Sequence, residues 1–228
     1  MNKLKTLLLA VVGVLAQHAY SQQVTYKSTE HYKNKVAEFN DMRDVDSTDI
    51  VMLGNSLTEY AGDWNILMKA KHIRNRGIAG DDAMGIYHRL NQILVGKPKA
   101  IFLMVGINDI ANGLSAKQVS ALVEMIIRKI RNDSPKTRLY VQSILPINDT
   151  FEVWTNLEDK AAVVPATNHL IRAYCVKHGV AYVNLYPKFL RHGTNTMRTE
   201  LTQDGLHLTP EGYKIWAFML KKYIDTLK

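Results

Sequence analysis

The residue that most invites a chemical reading in this 228-residue chain is a serine at the end of an apolar run, Ile50-Val51-Met52-Leu53-Gly54-Asn55-Ser56-Leu57-Thr58. Val and Ile favour a pleated strand buried on both faces, and Gly54 permits a sharp turn as the strand leaves a parallel sheet. Ser56 then stands at the carboxyl edge of that strand, where open α/β sheets bind their ligands. A serine hydroxyl is a poor nucleophile near neutral pH and needs an adjacent base to take its proton. Without one, Ser56 is simply a favoured N-cap for the helix that follows.

Other chemistries are poorly provided for. The eight histidines include no helical His-Glu-x-x-His pair, so no zinc-hydrolase motif is present. His31, His72, His88, His169, His178 and His192 read as surface or core residues rather than metal ligands. There is no Walker-type phosphate loop, and Gly77-x-x-Gly80 lacks the full dinucleotide fingerprint. The expectation is therefore no metal and no cofactor. The single cysteine, Cys175, can form no internal disulfide and sits in a helix-like run with no local base, as a small buried apolar residue would.

Periodicity along the chain lays out the strands and helices around Ser56. Residues 22–49 carry Tyr26, Tyr32, Val36 and Phe39 at loosely helical spacing, which predicts an amino-terminal helix packed on the domain. Glu59 to Met68 reads as a helix or lid containing Trp64. A short strand over 72–77 leads to the turn Gly77-Ile78-Ala79-Gly80-Asp81-Asp82, where an aspartate can cap a helix running through Leu90 to Val95. The continuous run Ala100-Ile101-Phe102-Leu103-Met104-Val105 is that of a central parallel strand, ending in Gly106-Ile107-Asn108-Asp109. A helix over Ala116 to Arg131 presents Val119, Leu122, Val123, Ile126, Ile127 and Ile130 on one side. A fourth strand is predicted over Arg138 to Ile144, then a long irregular loop from Leu145 to Pro165 and a helix containing Leu170 to Val176. A last strand over Val180 to Leu185 precedes the loop Asp204-Gly205-Leu206-His207, and Pro210 opens a final helix through Leu220. Strands alternating with helices about five times define a doubly wound α/β domain.

Four of these pieces together resemble the SGNH hydrolases, also called GDSL-type esterases and lipases: Gly54-Asn55-Ser56-Leu57, Asn75 to Asp81 with its Gly80, Gly106-Ile107-Asn108-Asp109, and Asp204-Gly205-Leu206-His207. They occur in family order, and the match covers the chain from about Asp49 to its end. Asn55 departs from the family pattern, which most often has Asp there, and this bears on a hydrogen bond in the turn. The resemblance implies one three-layer α/β/α domain with a five-stranded, mostly parallel sheet of the flavodoxin-like SGNH hydrolase fold. It also implies Ser56 as nucleophile, His207 as base with Asp204 as its partner, and Ser56, Gly80 and Asn108 as oxyanion-hole donors. Its members hydrolyse carboxylic esters through an acyl-enzyme. A small-acyl carbohydrate esterase is the favoured expectation, with a lysophospholipase or thioesterase for longer chains as alternative. A non-catalytic glycan- or lipid-binding domain on the same fold is the alternative from another class. Candidates for the substrate pocket are Leu57, Tyr60, Trp64, Ile110, Trp154 and Tyr186, each of which could equally be core. Asp109 fits a loop-ordering role better than a reacting one.

Residues Met1 to Ser21 differ from the rest. Lys3 and Lys5 give a positive start, Leu7 to Ala16 an apolar run, and Ala19-Tyr20-Ser21 a small-x-small site. This is the composition of a secretory signal peptide cleaved before Gln22, leaving a periplasmic or secreted protein; an uncleaved anchor is the alternative. Loss of the two lysines takes the formal charge from +8 to +6. The remaining positive residues are scattered, so nucleic acid is not an expected partner and a small-molecule or glycan ester is. Residues 22–228 have the length and, with 46% hydrophobic residues in the whole chain, the composition of one domain with its own core.

Overall fold

Alternation along the first strand sets the two sides of the domain. Val51 and Leu53 enter one apolar cluster, while Ile50 and Met52 enter the other, as the two-residue period of a strand requires. The computed structural model describes residues 28–227, so the proposed leader, Met1 to Ser21, lies outside the described residues. In chain order the elements are α1 (Glu30–Asp41), β1 (Ile50–Gly54), α2 (Ser56–Glu59), α3 (Trp64–Met68), β2 (Ile73–Gly77), α4 (Ala83–Arg89), α5 (Asn91–Leu94), β3 (Ala100–Met104), α6 (Ile107–Ala111), α7 (Ala116–Asp133), β4 (Arg138–Gln142), α8 (Val163–Lys177), β5 (Ala181–Val183), α9 (Tyr186–Phe189) and α10 (Pro210–Asp225). Single 3-10 turns lie at Asp149–Phe151, Thr155–Leu157 and Thr199–Leu201.

The five strands run in the order β2-β1-β3-β4-β5, and every pairing is parallel. This is the flavodoxin-like order, in which the winding reverses between β1 and β3 and opens a crevice at their carboxyl ends. One face is covered by α4, α7 and α8, with the apolar stripe of α7 buried along its length. The other is covered by α3, α9 and α10, where Trp64 and Trp216 meet edge to face at 5.2 Å. Helix α1 packs outside the sheet through Tyr32 and Phe39 against Ile78, and the Tyr32 hydroxyl donates to the Gly85 carbonyl at 2.9 Å.

Three expectations are corrected in detail. The stretch read as a helix or lid is two short helices, and Trp64 is wholly buried with its indole N–H donating to the Thr58 carbonyl at 3.1 Å. The helix expected through Leu90 to Val95 is divided at Leu90 into α4 and α5. Pro165 belongs to the first turn of α8 rather than to the preceding loop, because the N–H it lacks has no intrahelical partner there. Cys175 is buried in α8, and burial pushes its thiol up to about 12. Among the described residues, no helix is long and apolar enough to cross a membrane.

Candidate active site

Ser56 is the first residue of α2, immediately after the turn that ends β1. The cap of that helix is Asn55, whose side-chain oxygen accepts from the Leu57 N–H at 3.1 Å, so the Ser56 hydroxyl is not spent on capping. It faces His207 instead: Ser56 Oγ lies 2.9 Å from His207 Nε2, across 151 positions of sequence. On the far side of the ring, His207 Nδ1 lies 2.7 Å from Asp204 Oδ2. The other carboxylate oxygen accepts from the backbone N–H groups of His207 at 2.7 Å and Leu206 at 3.0 Å. Burial works to raise the Asp204 carboxyl, but the His207 ring and these two N–H donors outweigh it and hold the group below the ordinary range. With Asp204 ionised, Nδ1 carries the ring proton and Nε2 is the acceptor toward the serine hydroxyl.

The loop carrying this pair is braced from two sides. Thr202 Oγ1 donates to the His207 carbonyl and accepts from the Gly205 N–H, each at 2.9 Å. The Gly205 carbonyl accepts from Asn148 N–H at 2.7 Å. Gly205 has φ +90, and a Cβ there would stand 2.2 Å from the Asn148 carbonyl oxygen, so both conformation and space demand glycine.

The other motif residues reach the same edge from β2 and β3. Gly80 follows β2 with φ +81, and a Cβ built there meets nothing within 4 Å, so the exposed loop is open on that side. Glu59 holds the preceding residue, its Oε2 accepting from the Ala79 N–H at 2.5 Å. Asn108 sits in α6, just beyond β3, and its Nδ2 donates to the Asp81 carbonyl at 2.8 Å. Asp109 is buried beneath, accepting from the Ala83 N–H at 3.1–3.2 Å, which agrees with a loop-ordering role. Burial, with Asp82 adding to it, pushes the Asp109 carboxyl up to about 7. Burial likewise pushes the Asp81 carboxyl up to about 6, against the pull of Arg89.

Of the pocket candidates, the structure brings two to the site. Tyr60 and Trp154 pack their rings on the His207 imidazole, with centroids at 5.1 Å and 5.2 Å, and they are 55% and 37% exposed. Leu57, Trp64, Ile110 and Tyr186 are buried core residues. The departure at Asn55 leaves its Nδ2 buried with no partner among the described residues while preserving the cap. Arg89 and Glu59 were not singled out from the sequence. For Arg89 a signal exists, since it falls on the buried face of α4 with Ile86, where an arginine is out of place unless paired. Among the described residues, no group of three or more His, Cys, Asp or Glu could hold a metal ion.

A parallel α/β domain with serine, histidine and aspartate hydrogen-bonded in series at its carboxyl edge is built as a hydrolase. The chain belongs to the GDSL-like lipase/acylhydrolase family, whose model matches residues 45–215, and its five-stranded sheet is that of the SGNH hydrolase fold. It is 28% identical over 171 residues to platelet-activating factor acetylhydrolase IB subunit alpha1 from Homo sapiens, covering 72% of this chain and 70% of the relative. A GDSL-like lipase from Bacteroides thetaiotaomicron superposes with a TM-score of 0.72 at 20% identity, over 86% of this chain and 98% of that one. An acetyl xylan esterase does so with a TM-score of 0.62 at 18% identity, over 77% and 98%. These two likenesses are of fold.

Proposed function

We propose that this enzyme hydrolyses carboxylic esters through an acyl-enzyme, with Ser56 as nucleophile, and that its natural acyl group is short, most simply acetyl on a carbohydrate. The observation that carries the proposal is the unbroken series Ser56 Oγ, His207 Nε2, His207 Nδ1 and Asp204 Oδ2, with contacts of 2.9 and 2.7 Å. In this scheme His207 takes the hydroxyl proton as Ser56 Oγ bonds to the ester carbonyl carbon, and Asp204 stabilises the imidazolium that forms. The developing oxyanion is met by the backbone N–H groups of Ser56 and Gly80 and by the Asn108 side-chain amide. The departing alcohol takes the proton from His207. Water then repeats the sequence on the acyl-enzyme and releases the acid. Each oxyanion donor contributes roughly 3 kcal/mol to lowering the barrier.

Support for a short acyl group on a sugar comes from two sides. The exposed rings of Tyr60 and Trp154 stand beside the reactive pair, and flat aromatic faces with polar tips suit the apolar face of a sugar ring. A human acetylhydrolase and an acetyl xylan esterase, similar in sequence and in fold respectively, share the acetyl group in their names. The leader composition of residues 1–21 supports an exported enzyme, tested by the mass of the mature amino terminus after expression with the full chain.

The deciding experiment is an acyl-length series of aryl esters from acetyl to palmitoyl, followed by acetylated sugars, on the parent and on Ser56→Ala. The expected result is highest kcat/KM for acetyl, release of acetate from the sugar, and loss of all enzyme-dependent turnover in Ser56→Ala. A preference for long chains would replace the carbohydrate assignment with a lysophospholipase or thioesterase one. Equal rates for the parent and Ser56→Ala would remove the serine mechanism.

A further inference from the structure

Arg89 lies at the end of α4, remote from solvent, and is 2% exposed. Its Nε donates to Asp81 Oδ2 at 2.8 Å, and its Nη2 donates to the Gly54 carbonyl at 3.0 Å. Those two acceptors belong to different parts of the site. Gly54 ends β1 two residues before the nucleophile, and Asp81 follows Gly80 in the loop after β2. The Asp81 backbone carbonyl in turn receives the Asn108 side-chain amide at 2.8 Å. One guanidinium therefore links the nucleophile turn to the loop that carries Gly80 and receives Asn108.

Stability alone does not account for this ion pair. Arg89 Nη1 and Asp81 Oδ1 are both buried without a hydrogen-bond partner among the described residues. A buried pair left partly unsatisfied recovers little of its desolvation cost, and apolar replacements of such pairs are often neutral or stabilising. What the planar fork of arginine does provide is two donors at a fixed separation, which lysine lacks. Oxyanion donors act through preorganisation, so displacements well under the length of a hydrogen bond matter more to the transition state than to the bound ester.

We propose that Arg89, through Asp81, is a positioning residue that sets the spacing between the Ser56 turn and the Gly80 and Asn108 donors, without itself touching substrate. This deepens the esterase assignment and rests on it, independently of which acyl group is natural. The test uses aryl acetate hydrolysis by the parent, Ser56→Ala, Arg89→Lys and the paired apolar variant Arg89→Met/Asp81→Leu, each normalised to its folded fraction. Inhibition by a trifluoromethyl ketone, which mimics the tetrahedral adduct, is measured alongside. The expected result is a fall in kcat of tenfold or more in both Arg89 variants, with KM changed less than threefold. The inhibition constant should weaken by the same factor as kcat/KM, and the melting temperature of the paired variant should stay close to the parent's. A kcat within threefold of the parent in either folded variant overturns the proposal. So does a loss that vanishes on normalisation to folded protein, or failure of both variants to fold, since each makes the pair a stability element. A parent without Ser56-dependent turnover would instead sink the esterase assignment, so the two failures are distinguishable.

Discussion

At the scale of single residues, Asp204 carries the most exposed claim in the site. Its Oδ2 fixes the His207 tautomer, while its Oδ1 receives two backbone N–H groups of its own loop. Replacing it by Asn preserves an acceptor but allows the amide to turn an N–H toward the ring, which would hold the wrong tautomer against Ser56. Asp204→Asn should lower kcat on the order of 10⁴-fold with little change in melting temperature. Steady-state kinetics with an aryl acetate would show it, and a loss smaller than tenfold would deny Asp204 its orienting role. Tyr60 and Trp154 illustrate the limit of reading residues singly. In sequence both stand among six pocket candidates that could equally be core, and both owe their place beside His207 to loops far apart in the chain.

At the scale of elements, the turn from β1 into α2 is fixed by contact with β2. A Cβ on Gly77 would lie 2.2 Å from the Glu59 backbone nitrogen and 2.7 Å from its Cα, so β2 and α2 touch backbone to backbone. Asn75 reinforces the junction, its Nδ2 donating to the Glu59 and Gly62 carbonyls at 3.1 and 3.0 Å and its Oδ1 accepting from Gly77 N–H at 2.9 Å. Gly77→Ala should therefore cost roughly 1–3 kcal/mol of stability and also reduce activity in the folded fraction, because the helix that must yield begins with Ser56. Urea unfolding together with active-site titration would measure both effects, and an unaltered midpoint would mean the junction is looser than its geometry. These elements were legible from sequence to the extent that their signals are local. The apolar run of β3, the stripe of α7 and proline at the start of α10 each declare themselves within one window. The break at Leu90 and the entry of Pro165 into α8 were not legible, because tertiary packing chose between helix and loop where propensity was nearly balanced.

For the whole molecule, buried carboxylates give stability an unusual pH dependence. Burial raises Asp109 to about 7 and Asp81 to about 6, so between the unfolded value near 3.8 and those values the folded state binds protons that the unfolded chain does not. Their contribution to stability therefore falls as pH rises through that window. Asp204 acts in the opposite sense: its folded value is depressed, so its contribution is present above the unfolded value and is lost as pH falls through the folded one. Asp109→Asn, which keeps an acceptor for the Ala83 N–H, should flatten the decline in urea midpoint between pH 5 and pH 8 relative to the parent. Parallel pH profiles for the two proteins would show that Asp109 does not titrate in that range.

The alternation of strands and helices, the assignment to one α/β domain, and the four blocks bearing Ser56, Gly80, Asn108, Asp204 and His207 are written in local signals, because strand and helix periods and turn residues act over a few neighbouring positions. Packing in three dimensions makes Asn55 rather than Ser56 the cap of α2, sets Tyr60 and Trp154 against the imidazole, and lets Arg89 span Gly54 and Asp81. The physical reason is the strand order. With β1 set between β2 and β3, loops distant in the chain are delivered to one carboxyl edge, and which side chains meet there depends on distances that no local window contains.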